Sequence, residues 1–388
     1  MNRFKNLTPL LKSFVEKGPA GCACSVIQHG ELKYQEFFGY ADVETRTAIT
    51  PDTLYRIFSM TKVITCTAAL KLYERGLFLL NDPLEEYLPE FKNLQVYRYT
   101  ANNSFSISPA ASSIRIKDLF AMTSGLTYDG DDTQTAREVT RLMKGLHKKE
   151  DEGEKTDLRT FVRALASIPL SFDPGTHWRY GLSHDVLAAL VEVVSGKKFG
   201  QFLKEEIFDP LKMNNTFHRL PEDKKHLLCS FYRRSEDGSL TKSVEMDRHT
   251  RPDDIFEGGG SGLLSTIGDY GRFAQMLAQG GELDSERILG KKTVQLMAAN
   301  HLNPLQLADY NWDHLAGYGY GLGVRVLIDP AAGGCNGTPG EFGWAGMLGT
   351  WTLMDPKEEL SIVYMQQMLP SFEAFHAPRI HNVVYAAL

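Results

Sequence analysis

The sequence predicts a mixed α/β fold in which a mainly antiparallel sheet, flanked by helices, is interrupted by an inserted helical domain. Two observations carry this expectation. Strand-like segments of period two lie near both ends of the chain, and the stretch between them places apolar residues at helical spacing. The 388 residues are 43% apolar and 23% charged, enough to build a core without disulfide or metal staples. The expected division is residues 1–75 with 250–388 as the sheet-bearing domain and 76–249 as the mainly helical insertion.

Taken in order, Leu7, Leu10, Leu11, Phe14 and Val15 mark a first amphipathic helix over 7–17 that stops near Gly18-Pro19. Segments 21–29 and 32–40 are β-rich and joined at Gly30-Glu31, a hairpin signal. Thr53–Phe58 adds a short strand. From Ser59 to Arg75 the pattern turns helical through Val63, Ile64, Cys66, Ala69, Leu70 and Leu72, closed by Gly76. Residues 115–122, 158–168, 184–195 and 199–208 read as further helices, whereas the charged stretch 129–157 suits an exposed, solvated loop and is a candidate lid. Period two returns at Tyr320–Val326, Thr350–Met354 and Leu360–Met365, the last two joined by a turn at Asp355–Glu359. A helix over 373–387 follows.

A formal charge of −6 argues against nucleic-acid phosphates or anionic lipid as partners and leaves a small molecule or another protein as the expected one. The N-terminal residues lack the apolar core of a signal peptide and no window matches a membrane span, so a cytoplasmic location is expected. Five cysteines form no disulfide framework. Cys22 and Cys24, two apart on a strand, share one sheet face and read as small buried hydrophobes. Histidines are scattered, so neither a metal nor a cofactor is expected. Oligomeric state is not legible.

Ser59-Met60-Thr61-Lys62 matches S-x-x-K, a pattern whose two fixed positions recur about once by chance in a chain of this size. Here it recurs at Ser195–Lys198, a helix end, and at Ser239–Lys242, a polar hairpin, both structural. Ser59 differs because it joins a strand to an apolar helix, where free backbone N–H groups favour a developing anion. Lys62 lies one turn on, on the same face, and can take the serine proton if its pKa is lowered toward neutrality. Gly258-Gly259-Gly260-Ser261-Gly262 carries no phosphate-binding fingerprint and reads as structural.

Ser59-x-x-Lys62, Tyr180-Gly181-Leu182-Ser183 and Phe342-Gly343-Trp344-Ala345-Gly346-Met347 resemble, in order and spacing, the three catalytic boxes of serine β-lactamase-like hydrolases. The nearest pattern is the class C β-lactamase branch with the family VIII carboxylesterases. Leu119–Leu126, Asn81–Pro89 and Gly258–Thr266 support the resemblance, which spans roughly residues 15–370. It implies a β-lactamase/transpeptidase-like fold, with Ser59 as nucleophile and Lys62 as its partner. Tyr180 takes the place of the tyrosine that shares general-base duty, its phenolate stabilised by Lys62. The backbone amides of Ser59 and Met347 would form the oxyanion hole, Met347 just past Trp344-Ala345-Gly346 on the matched edge strand. Trp344, Ala345, Gly346, Leu182 and Tyr128 would line the substrate site.

Two departures from the lactamase pattern bear on substrate. Leu182 stands at the asparagine of the tyrosine box, and Trp344 at the lysine of K-T-G. A substrate carboxylate would lose a charge-assisted bond of about 1.5–3 kcal/mol. The expectation is therefore a serine carboxylesterase acting on neutral esters through an acyl-enzyme. Its rivals are acyl transfer, weak β-lactamase or D-amino-acid peptidase activity, and a penicillin-binding-like sensor that acylates slowly.

Overall fold

The computed structural model describes residues 3–100, 102, 104–250 and 253–388. Leu7–Lys17 forms helix α1, which buries Leu7, Leu11 and Phe14. Strands β1 (Gly21–Gln28) and β2 (Glu31–Asp42) make a hairpin turned by His29 and Gly30, with φ of 54° and 76°. Two successive left-handed residues match the twist of a tight hairpin, which puts the turn one residue before the expected Gly30-Glu31. Then come β3 (Thr47–Ala48), the short β4 (Tyr55–Arg56) and helix α2 (Thr61–Glu74), whose residues Thr61–Leu70 are all buried.

The middle of the chain supplies α3 (Ile116–Phe120), α4 (Gln134–Asp151), α5 (Leu158–Leu165) and α6 (Ser183–Ser195). Strand β5 (Leu264–Ser265) pairs with β4 and leads into α7 (Ile267–Ala278). The closing elements are β6 (Tyr318–Tyr320), β7 (Arg325–Leu327), β8 (Phe342–Ala345), β9 (Trp351–Asp355), β10 (Leu360–Met365) and α8 (Glu373–Tyr385).

Eight strands form one sheet in the order β6-β7-β8-β9-β10-β1-β2-β3, antiparallel at every pairing. The first and last parts of the sequence thus meet at β1 and β10, with Ala23 opposite Met365 and Val26 opposite Ile362. Alternation splits the sheet between two apolar layers. Cys22, Cys24, Val26, Leu353 and Ile362 face α1 and α8, while Ala23, Met354 and Val363 face the large core that holds α2, α6 and α7. Cys22 and Cys24 share a face as expected.

Three expectations are corrected. The charged stretch 129–157 is no loop but contains the 18-residue α4, capped by Thr133, whose side chain accepts the Ala136 amide. Its inward stripe is narrow, with Thr135, Ala136 and Val139 its only buried residues among those described, so charge masked the period. The strand expected over 320–326 is broken at Gly321–Gly323, where Gly323 has φ 84°, and folds back as β6 and β7. Strand β8 is not the sheet edge, since β7 pairs with its Phe342 and Gly343. Trp344 and Ala345 pair on one side only, with Thr352 and Trp351, so the half of β8 beyond Gly343 is open. No helix among the described residues is long and apolar enough to cross a membrane.

Candidate active site

Ser59 lies in a single 3₁₀ turn, Phe58–Met60, between β4 and α2. Phe58 sits at φ 42°, a conformation that a bulky residue adopts only when its surroundings hold it there. Ile57 anchors this corner, its N–H donating to Leu263 O at 3.1 Å and its carbonyl accepting from Thr350 Oγ1 at 3.3 Å. The turn after β8 is tied to the same point, for Gly346 N–H donates to Thr350 O at 2.7 Å. A Cβ on Gly346 would stand 2.4 Å from Ile57 O and 2.2 Å from Thr350 Oγ1, so only glycine fits there. This clamp brings the start of the Ser59 turn beside Met347, and neither the Ser59 nor the Met347 amide has a hydrogen-bond partner among the described residues.

Lys62 is fully buried, with its ammonium at the centre of a convergent set of acceptors. It donates to Ser59 Oγ at 3.2 Å, Tyr128 Oη at 2.7 Å and Gly260 O at 2.5 Å. The ring of Tyr180 lies 4.8 Å from Nζ, within cation–π range. Tyr180 accepts a hydrogen bond from Trp344 Nε1–H at 2.9 Å, and the Trp178, Trp312 and Trp344 rings pack around it. The tyrosine that hydrogen-bonds the lysine head is therefore Tyr128, while Tyr180 meets it through its ring.

Burial alone would strip the proton from Lys62, but Tyr128, Tyr180 and the buried carboxylate of Asp185 outweigh it and hold its pKa above the ordinary lysine value. The condition for Lys62 to take the serine proton unaided, a pKa lowered toward neutrality, is thus not met in the resting site. Burial pushes the Tyr128 phenol up as well, with Lys62 opposing. At neutral pH Lys62 therefore rests as an ammonium against the protonated Tyr128 phenol.

Gly259 and Gly260, just before Ser261, hold this arrangement. Gly260 offers its carbonyl to Lys62 and its N–H to Asp185 Oδ1 at 3.1 Å, and Gly259 O accepts from Thr65 Oγ1 at 2.7 Å. A Cβ at Gly259 would stand 2.2 Å from His184 O, and one at Gly260 2.6 Å from Asp185 Oδ2. Gly260 and Asp185 carry functional contacts that the sequence reading missed; the run of glycines signalled close backbone approach without naming what approaches.

Ser59 opens on a cavity of about 690 Å³ whose walls include Tyr128, Tyr180, Leu182, Trp344, Ala345, Gly346 and Met347. Every residue expected at the site is thus gathered there, Lys62 just beneath the surface. Val139, Met143 and His147 of α4 form one wall, and Phe161 and Phe256, 5.4 Å apart and edge to face, another. The lining is chiefly apolar and aromatic, with Leu182 largely buried at the position where the lactamase pattern has an amide.

The sequence matches the Beta-lactamase family over residues 8–385. Protein Rv1367c of Mycobacterium tuberculosis is 31% identical over 90% of this chain and 86% of its own length. Esterase EstB of Burkholderia gladioli is 28% identical over 96% of this chain and 92% of its own. Among solved structures, EstCE1, described as a hydrolase with promiscuous acyltransferase activity, superposes with a TM-score of 0.80 at 23% identity, covering 99% of this chain and 98% of that one.

Proposed function

Since the chain belongs to the Beta-lactamase family, an enzyme superfamily of serine hydrolases, we propose that it cleaves carboxylic esters through an acyl-enzyme on Ser59. The contact that carries this reading is Lys62 Nζ at 3.2 Å from Ser59 Oγ, at the mouth of an apolar cavity. The reactive form has one proton fewer than the resting site, the deficit shared by Lys62 and its phenols. Ser59 gives its proton to that deficit as Oγ bonds to the ester carbon, and the amides of Ser59 and Met347 take the developing oxyanion. Tyr180, oriented by Trp344, returns the proton to the departing alkoxide, and water then releases the acid by the same steps in reverse. The esterase EstB relationship supports the ester as substrate class. So does Trp344, which offers a ring where a K-T-G lysine would offer charge.

Ser59→Ala should abolish turnover of short-chain p-nitrophenyl esters and leave the melting temperature within a few degrees of wild type. Intact mass after fluorophosphonate treatment should show one adduct on wild type and none on the variant. Turnover by the variant at the wild-type rate ends the proposal, as does a wild type that takes up no label. Acyl transfer is the second reading, favoured by an apolar cavity that limits water; ester products formed with added butanol would reveal it.

A further inference from the structure

Among the described residues one guanidinium lines the main cavity, that of Arg325 on β7. It is only 7% exposed, yet it also borders a smaller cavity of about 50 Å³ toward α8, with His314, Leu315 and Glu373 shared between the two. The Tyr318 and Trp351 rings each lie 5.7 Å from its central carbon and fix the plane of the group. Its Nη1 donates to Glu373 Oε1 at 3.0 Å. A guanidinium has five N–H donors, and this is its one hydrogen bond among the described residues. The spare donors are not sealed in protein, as Arg56 Nε and Arg234 Nε are, but open on cavity space. Arginine and carboxylate usually pair through two parallel bonds, so Glu373 leaves the fork half used.

We propose that Arg325 binds a carboxylate carried by the substrate away from the scissile ester, with Glu373 as the competing internal anion. Arg325 lies opposite Gly343, so its side chain leaves the sheet on the face opposite Trp344. Trp344 withholds a cation from the reacting carbonyl, and Arg325 supplies one beyond the open half of β8. The class of substrate is thus an ester with an apolar body and a remote acid group. This inference rests on the ester-hydrolase reading above.

The test uses matched pairs of esters. With the acid in the acyl part, p-nitrophenyl hydrogen suberate is compared with p-nitrophenyl octanoate; with the acid in the leaving group, 4-(butyryloxy)benzoate is compared with its methyl ester. In at least one pair, Arg325→Gln should lower kcat/KM for the acid at least tenfold more than for its neutral partner, the worth of a charge-assisted bond. Glu373→Gln should move the same ratio the other way by several-fold, which guards against a variant that merely folds poorly. Ratios unmoved in both pairs by both variants overturn the proposal while leaving ester hydrolysis intact. If wild type turns over no ester, calorimetric titration with suberate monoamide decides: binding lost in Arg325→Gln keeps the carboxylate site and removes the hydrolase reading, and no binding removes both.

Discussion

Lys62 shows how one residue's surroundings can reverse an expectation drawn from its type. A buried lysine alone loses its proton, but two phenols and the Asp185 carboxylate restore it. Because the reactive form lacks a proton that Lys62 and Tyr128 both retain above their ordinary pKa values, kcat/KM should keep rising with pH through about 9. Tyr128→Phe removes the largest group holding that proton, so the rise should shift to lower pH while kcat falls about tenfold or more. A profile flat from pH 6 upward in wild type, or unshifted in the variant, would contradict this assignment of the proton. Ser59, Lys62, Tyr180 and Trp344 were legible because each belongs to a short motif with its own chemistry. The Lys62 contacts to Tyr128 and Gly260 were not, because they join segments 66 and 198 residues apart and leave no local pattern.

At the scale of elements, the site is built where β8 changes character. Its first half is paired on both sides; its second half has one free side, and there the chain turns through Gly346 to the Met347 amide. Gly346→Ala would force that turn away from Ile57 O, which lies 2.4 Å from the added carbon. The expected result is a kcat loss of about a hundredfold, the usual cost of one oxyanion donor, with a smaller change in stability. Equal kcat in the variant would remove Met347 from the oxyanion hole. The sequence showed where β9, β10, α1 and α2 lie, since their apolar periods are clean. It misjudged α4 and the β6–β7 reversal, since charge hides a narrow helical stripe and Gly321–Gly323 interrupts a period that alternation alone would continue.

Across the whole molecule, distant parts of the chain share one sheet, and period two at both ends was enough to anticipate this. What it could not show was the polar core beneath α2 and α6. There His184, fully buried beside Phe120 O and Cys66 Sγ, has its pKa pushed down to about 3 by burial first and Lys62 second. The unfolded chain binds a proton on this histidine near pH 6.5 and the folded one does not. Its contribution is therefore complete above pH 6.5 and is lost as pH falls toward 3, at up to about 1.4 kcal/mol per pH unit. His184→Gln should lose stability less steeply than wild type between pH 6.5 and 4.5 in urea titrations. Parallel slopes would mean that the imidazole charges without unfolding.

The order in which the chain is made gives the open half of β8 a further consequence. Ser59 and Lys62 emerge early from the ribosome, but the Met347 amide follows 288 residues after Ser59. At about 5–20 residues per second that is an interval of roughly 15–60 s. Throughout it the proposed nucleophile would lack both the Met347 amide and the Trp344 wall. If Ser59 is acylated as proposed, the topology of the sheet would delay that chemistry until the last strands close against the first.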